Sequence, residues 1–140
     1  MDKVSYIALT HIHIDHGGGT SLLISNLGAK PKVIVHPKGA KHIINPEKLW
    51  KAGLAVLKDI AITMGKPEPV PSDLVYSIND NEVIDLGNVK VKAIYTPGHT
   101  PHHVCYLVKP EDASTRLYPC GSGSNSNMCS DTSFNMSTLP

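Results

Sequence analysis

Apolar and polar positions along this 140-residue chain fall into short periodic blocks punctuated by glycine and proline. Lys3 to Leu9, with Val4, Tyr6, Ile7 and Leu9, predicts a buried strand. Gly19 to Leu27 sets Leu22, Leu23 and Leu27 near helical spacing, and Thr20 or Ser21 can cap its start. Lys32 to Val35 follows Pro31 as a short buried strand. Pro37 to Ile44 predicts a helix that Asn45-Pro46 stops. Pro46 to Ile60 predicts a second, with Leu49, Trp50, Leu54 and Leu57 on one face for core packing. Met64 to Ser72, with Gly65, Pro67, Pro69 and Pro71, reads as an irregular loop. Glu82 to Leu86 and Val89 to Ile94 flank Gly87-Asn88, a two-residue hairpin signal. Val89, Val91 and Ala93 face inward there while Lys90 and Lys92 face water. Val104 to Val108 is a further strand, so the fold class is α/β.

After Tyr118 the periodicity stops. Residues 119–140 are rich in serine and asparagine, and Asp131 is their one charged side chain. Such a tail buries too little to offset its chain entropy, which predicts disorder or loose packing. Two regions are therefore expected, a folded domain over 1–118 and a low-complexity tail over 119–140. Loss of the reading frame near Cys120 would produce the same abrupt change.

Composition bounds the function classes. An apolar fraction of 41% and a net charge of +1 fit one globular domain, with scattered lysines and no basic patch for nucleic acid or an anionic membrane. No apolar run approaches the roughly 20 residues of a membrane span. The N-terminus has no signal pattern, so a cytoplasmic location is the default expectation. Three cysteines at irregular spacing make no disulfide framework; Cys105 reads as a buried small hydrophobe, and Cys120 and Cys129 fit no zinc spacing.

The chemistry concentrates in Thr10-His11-Ile12-His13-Ile14-Asp15-His16-Gly17-Gly18. Four ligand types, His11, His13, Asp15 and His16, occupy six positions. Neutral imidazole and ionised carboxylate are the groups that zinc and iron prefer. Alternation lets His11 and His13 face one way, and Gly17-Gly18-Gly19 is expected to turn the backbone tightly before the next helix.

His-x-His-x-Asp-His after a hydrophobic strand resembles the signature of the metallo-β-lactamase superfamily, and Tyr95-Thr96-Pro97-Gly98-His99-Thr100-Pro101 resembles its second histidine motif. Val35 to His42 and Asn45 to Trp50 also resemble a subgroup of uncharacterised hydrolases in that superfamily. The resemblance extends from about Val4 to Tyr118. It implies a partial αββα sandwich of mixed sheets with outer helices, ending in an irregular tail. The motif in that family follows several strands, whereas here it begins at residue 11, so the first sheet is expected to lack its opening strands.

The resemblance further implies a first metal on His11, His13 and His99, and a second on Asp15 and His16. The second needs two more ligands, a bridging aspartate and a final histidine. Gly121 is followed by Ser122 at the place expected for the aspartate, and no histidine follows His103. Asp131 is the available substitute. One well-held zinc and a weak or empty second site are therefore expected, with iron or manganese as other occupants. Asp15 resembles the family's base or water-orienting carboxylate, and His103 a second-shell hydrogen-bonding partner. His102 is expected to be exposed, and His36 and His42 to be helix-surface residues.

The implied activity is attack of metal-bound hydroxide on an ester, thioester, amide or phosphoester of a small-molecule substrate. The alternatives are a non-catalytic metal-binding remnant and an iron-binding oxidoreductase relative. A sandwich lacking part of each sheet would expose apolar faces, which predicts a homodimer, with aggregation as the other escape.

Overall fold

A computed structural model of the chain describes residues 4–110 and, as backbone, residues 116–118. The tail expected from 119 onward, with Cys120, Cys129 and Asp131, lies outside the described residues. In chain order the elements are β1 (Tyr6–Ala8), α1 (Ile14–Gly17), α2 (Thr20–Asn26), β2 (Lys32–Val35), α3 (Pro37–Ile44), α4 (Glu47–Leu57), α5 (Asp59–Met64), β3 (Val75–Ser77), β4 (Val83–Asp85), β5 (Val89–Tyr95), β6 (Val104–Pro110) and β7 (Arg116–Tyr118). They build two sheets, as the α/β sandwich reading requires. The first is parallel in the order β1-β2-β3 and the second antiparallel in the order β4-β5-β6-β7.

Strand β2 explains the layering. Val33, Ile34 and Val35 are all buried, because a parallel central strand has both faces covered. Alternation sends Val33 and Val35 into a cluster with Leu9, Ile12, Ile43, Val70 and Leu74, which includes Ile43 of α3. Ile34 goes to the other face and packs with Ile78, Ala93, Val104 and Tyr106, joining the second sheet. The first sheet thus lies between helix and second sheet. Lys90 is exposed and Ala93 fully buried, in keeping with the inward and outward alternation of β5.

Several boundaries differ from the sequence reading, each for a physical reason. The first strand is limited to Tyr6–Ala8 and is not the buried strand expected, for at the sheet edge Tyr6 and Ala8 are exposed and Ile7 half-buried; its continuation leaves the sheet to become the histidine segment. The helix expected over 46–60 breaks at Lys58, whose φ of 48° is left-handed, so α5 begins a new direction at Asp59. Strand β3 was not anticipated, since Val75–Ser77 is too short to show a period. Neither Thr20 nor Ser21 caps α2: its N-cap is Gly19, and the Thr20 hydroxyl donates instead to the Gly17 carbonyl at 2.7 Å. The glycine run makes no left-handed turn, for Gly18 and Gly19 keep φ at −63° and −83°.

His36 is a second correction of substance. It is buried rather than on a helix surface, and its Nδ1 accepts from the Lys38 N–H at 3.0 Å, capping α3. Its ring also lies tilted on Tyr95, centroids 4.2 Å apart. His42 is half-buried in α3.

Close packing under the histidine segment depends on Gly39 in α3. A Cβ there would stand 2.9 Å from Ile12 Cγ2 and 3.1 Å from Val35 Cγ2. Ile12 is itself 3% exposed and has little room to retreat. Gly39→Ala is therefore expected to destabilise the fold by about 1 kcal/mol, the overpacking cost exceeding the helix-propensity gain of about 1 kcal/mol. A urea titration reads this as a lower midpoint at unchanged slope; an unchanged or higher midpoint would contradict the packing argument.

Candidate metal centre

Two backbone segments far apart in sequence meet at the sheet edge. The first runs from Leu9 to Ile14 at the exit of β1, and the second from Thr96 to His103 between β5 and β6. The N–H of Val104 donates to the Thr10 carbonyl at 2.7 Å, and the Leu9 N–H to the Ile34 carbonyl at 2.9 Å. The buried Tyr106 hydroxyl donates to the Leu9 carbonyl at 3.0 Å. The N–H of Thr96 donates to the His103 carbonyl at 3.0 Å and closes the second segment into a loop with His99 within it. Within the first segment Ile12 and Ile14 are buried, and His11 and His13 alternate with them on the other side of the backbone.

The outcome is a convergence of imidazoles. Ligand nitrogens of His11, His13 and His99 lie within 4.8 Å of one another, the one set of three with this geometry among the described residues. Ring centroids are 4.9 Å apart for His11 and His13, 5.1 Å for His11 and His99, and 4.9 Å for His13 and His99. His11 is buried, His13 half-buried and His99 exposed, so the cluster opens to solvent on one side.

Hydrogen bonding singles out His11. Its Nδ1 lies 3.2 Å from the Thr10 hydroxyl, whereas its Nε2 is buried with no hydrogen-bond partner. An orphaned polar nitrogen of this kind costs about 1–3 kcal/mol. Burial, then the neighbouring His16, His13, His103 and His99 rings, push the His11 pKa down to about 3. His13 is also lowered, by burial and by His99, with Asp15 opposing. Both are therefore neutral at neutral pH, the form in which imidazole binds a metal. A divalent cation fits this donor set: His11, through its unshared Nε2, would hold it with His13 and His99, while the Nδ1 contact with Thr10 would fix the ring as outer partners of ligand histidines do.

The remaining residues of the motif stand beside this cluster. Asp15 and His16 lie on α1, with Asp15 Oδ2 3.4 Å from His16 Nε2. The His16 ring is 4.2 Å from that of His11. His103 is buried with its ring 5.4 Å from His11, and its Nδ1 is 2.7 Å from the Thr96 hydroxyl, which also reaches Cys105 Sγ at 3.3 Å. His102, expected to be exposed, is half-buried; its Nδ1 lies 3.0 Å from the Thr100 hydroxyl and its ring 6.1 Å from His13. Burial lowers its pKa. Cys105 is buried, as expected.

A cavity of about 360 Å³ adjoins the cluster, lined by His13, Asp15, His16 and His99 together with Ile14 and one side of α4. The sequence reading missed this wall. Periodicity assigns Leu49 and Leu57 to a core face and gives Ala52, Gly53 and Val56 no role. Thr10 and Thr96 were also missed as histidine partners, and only their adjacency to the motifs could have signalled them.

Comparison with known proteins identifies the fold. The family model described as Metallo-beta-lactamase superfamily matches residues 2–112, which include both histidine segments. The chain belongs to this superfamily. It is 38% identical over 112 residues to a metallo-beta-lactamase fold-containing protein of Sulfurisphaera tokodaii, covering 77% of this chain and 42% of that one. It is 32% identical to a hydroxyacylglutathione hydrolase of Maricaulis maris over 74% of this chain and 29% of that one. A crystal structure of an archaeal superfamily protein from Sulfolobus tokodaii aligns with a TM-score of 0.67 at 39% identity, over 77% of this chain and 43% of that chain. A metallo-beta-lactamase of Cronobacter sakazakii, a mutant in its HARLDQ motif, aligns at 0.60 and 30% identity over 81% and 40%. The chain thus spans less than half the length of these relatives. No helix among the described residues is long and apolar enough to cross a membrane.

The depressed histidines give the apoprotein a defined pH response. An unfolded chain takes up protons on these imidazoles near pH 6.5, while the folded His11 resists until about pH 3. His13, His36, His42 and His102 are shifted the same way. Across that window the unfolded state binds more protons, so stability falls as pH drops, by up to about 1.4 kcal/mol per unit from His11 alone. Urea midpoints in chelator-treated buffer should therefore be lower at pH 5.5 than at pH 7.5. Equal midpoints would mean that the imidazoles are not held neutral by the fold.

Proposed function

We propose that this chain is a metal-dependent hydrolase domain, acting on a small molecule through one divalent ion held by His11, His13 and His99. Zinc is the first choice, since three imidazoles with an open position are a zinc donor set for catalysis. The single observation that carries the reading is the buried, unpartnered Nε2 of His11 beside the His13 and His99 nitrogens. The metallo-β-lactamase superfamily relatives, among them a hydroxyacylglutathione hydrolase, support it.

When bound, such an ion lowers the pKa of water to about 7 and polarises a carbonyl or phosphoryl oxygen. The chain's own groups do the rest. Thr10 holds the His11 ring through Nδ1 and keeps its other nitrogen a lone-pair donor. Asp15 is exposed, lines the same cavity as His13 and His99, and is placed to orient a water or accept its proton at a carboxylate oxygen. His16 lies within 3.4 Å of that carboxylate and, with Asp15, forms an incomplete pair for a second, weaker ion. His103, tied to Thr96 behind His11, steadies the segment that carries His99.

Metal analysis of the purified chain should give one tightly held zinc. Zinc at a hundredfold excess over its Kd should raise the apparent unfolding free energy by about 2.7 kcal/mol. His13→Ala should abolish that stabilisation and lower ester turnover by at least about 100-fold, because even outer partners of a ligand histidine are worth roughly 10–100-fold. Asp15→Asn should keep the ion and still lose turnover. Two irons per chain, or full activity in His13→Ala, would overturn the reading.

A further inference from the structure

The cavity beside the three histidines has a second wall whose chemistry is unlike the first. Along α4, Leu49, Ala52, Gly53, Val56 and Leu57 all line it, at spacings of three, four, seven and eight residues, so one continuous helical stripe faces the cavity. Ile14 of α1 completes the apolar part. Gly53 gives Ile14 room against α4, for a Cβ there would lie 3.3 Å from Ile14 Cδ1. Stripes of this kind are ordinarily buried in a core. Here Val56 is 78% exposed and Ala52 is exposed, although both belong to the stripe. At about 360 Å³ the space lies in the lower range of small-molecule sites, roughly 300–1,000 Å³. Among the described residues no lysine or arginine lines it.

We propose that the α4 stripe is the specificity wall of the site and seats an uncharged apolar acyl group, so that the substrate is a carboxylic ester or thioester with a medium-length chain. This rests on the hydrolase reading for the chemistry but not for the binding. An apolar chain gains by displacing water from Leu49, Val56 and Leu57, and its carbonyl then reaches the side of the cavity where His13, His99 and Asp15 stand. A polyanionic phosphoester would bring charge into a wall with no cation to receive it.

Calorimetry on the full chain, with chelator and then with zinc, tests this with octanoate and acetate as probes. The metal-free protein is expected to bind octanoate about tenfold or more tightly than acetate, since each buried methylene adds to affinity. Ala52→Trp, which fills the cavity from an exposed position, and Val56→Glu, which charges its mouth, should each collapse that ratio toward one. Because the metal-free arm needs no catalysis, octanoate selectivity that survives a failure to bind zinc sinks the hydrolase reading and keeps this one. Conversely, zinc binding and ester turnover with no octanoate preference overturn the acyl site alone. Octanoate selectivity unaffected by either substitution places the chain elsewhere and also overturns it. So does a dimer, seen by light scattering, that dissociates in both variants without any change in octanoate binding, because the stripe would then be a contact between copies.

Discussion

The site exists because β6 is stitched to the exit of β1. One backbone hydrogen bond, Val104 to Thr10, and one buried phenol, Tyr106 to the Leu9 carbonyl, hold together segments separated by most of the described chain. Burial strengthens the bond from Tyr106, since the Leu9 residue it reaches is shielded from water. Without them the histidines of the first motif and His99 belong to different sheets. The same junction closes the sandwich, so fold stability and site geometry are not separable here.

The cluster is electrostatically uncomfortable by design of its position. Four other imidazoles lie within 5.4 Å of the His11 ring, and burial forbids it a charge of its own. Apolar packing adds to the hydrogen bonds in fixing this arrangement. Ile12 is wedged against Gly39 and Val35, and Ile14 against Gly53, so two glycines in two different helices leave room for the residues that aim the histidines. Free energy lost in gathering neutral rings, with His11 Nε2 unpartnered, would be recovered by a cation that binds the folded state alone.

Much of this was legible in the residues. A short apolar run after Pro31 placed β2, alternation placed the β5 hairpin, and Asn45-Pro46 marked the end of α3. The two histidine motifs identified the family and named His11, His13 and His99 before their geometry was known. What escaped notice had no local signal. Strand β3 spans three residues and is ordered only by pairing with β2. His36 looks like any histidine before a helix, yet burial against Tyr95 and capping of α3 are tertiary facts. Only Leu49 and Leu57 of the α4 stripe belong to the periodic apolar face, and periodicity cannot tell a face turned to a core from one turned to a cavity.

The long reach of the Tyr106–Leu9 bond also governs when the centre can form. During synthesis the segment bearing His11, His13, Asp15 and His16 emerges well before the strand that carries residue 104. Contacts so distant in sequence form late, after the loop-closure entropy has been met. A nascent chain that met a cation early would therefore offer it side chains without His99. Docking of β6 is what brings His99 to the histidines of the first segment.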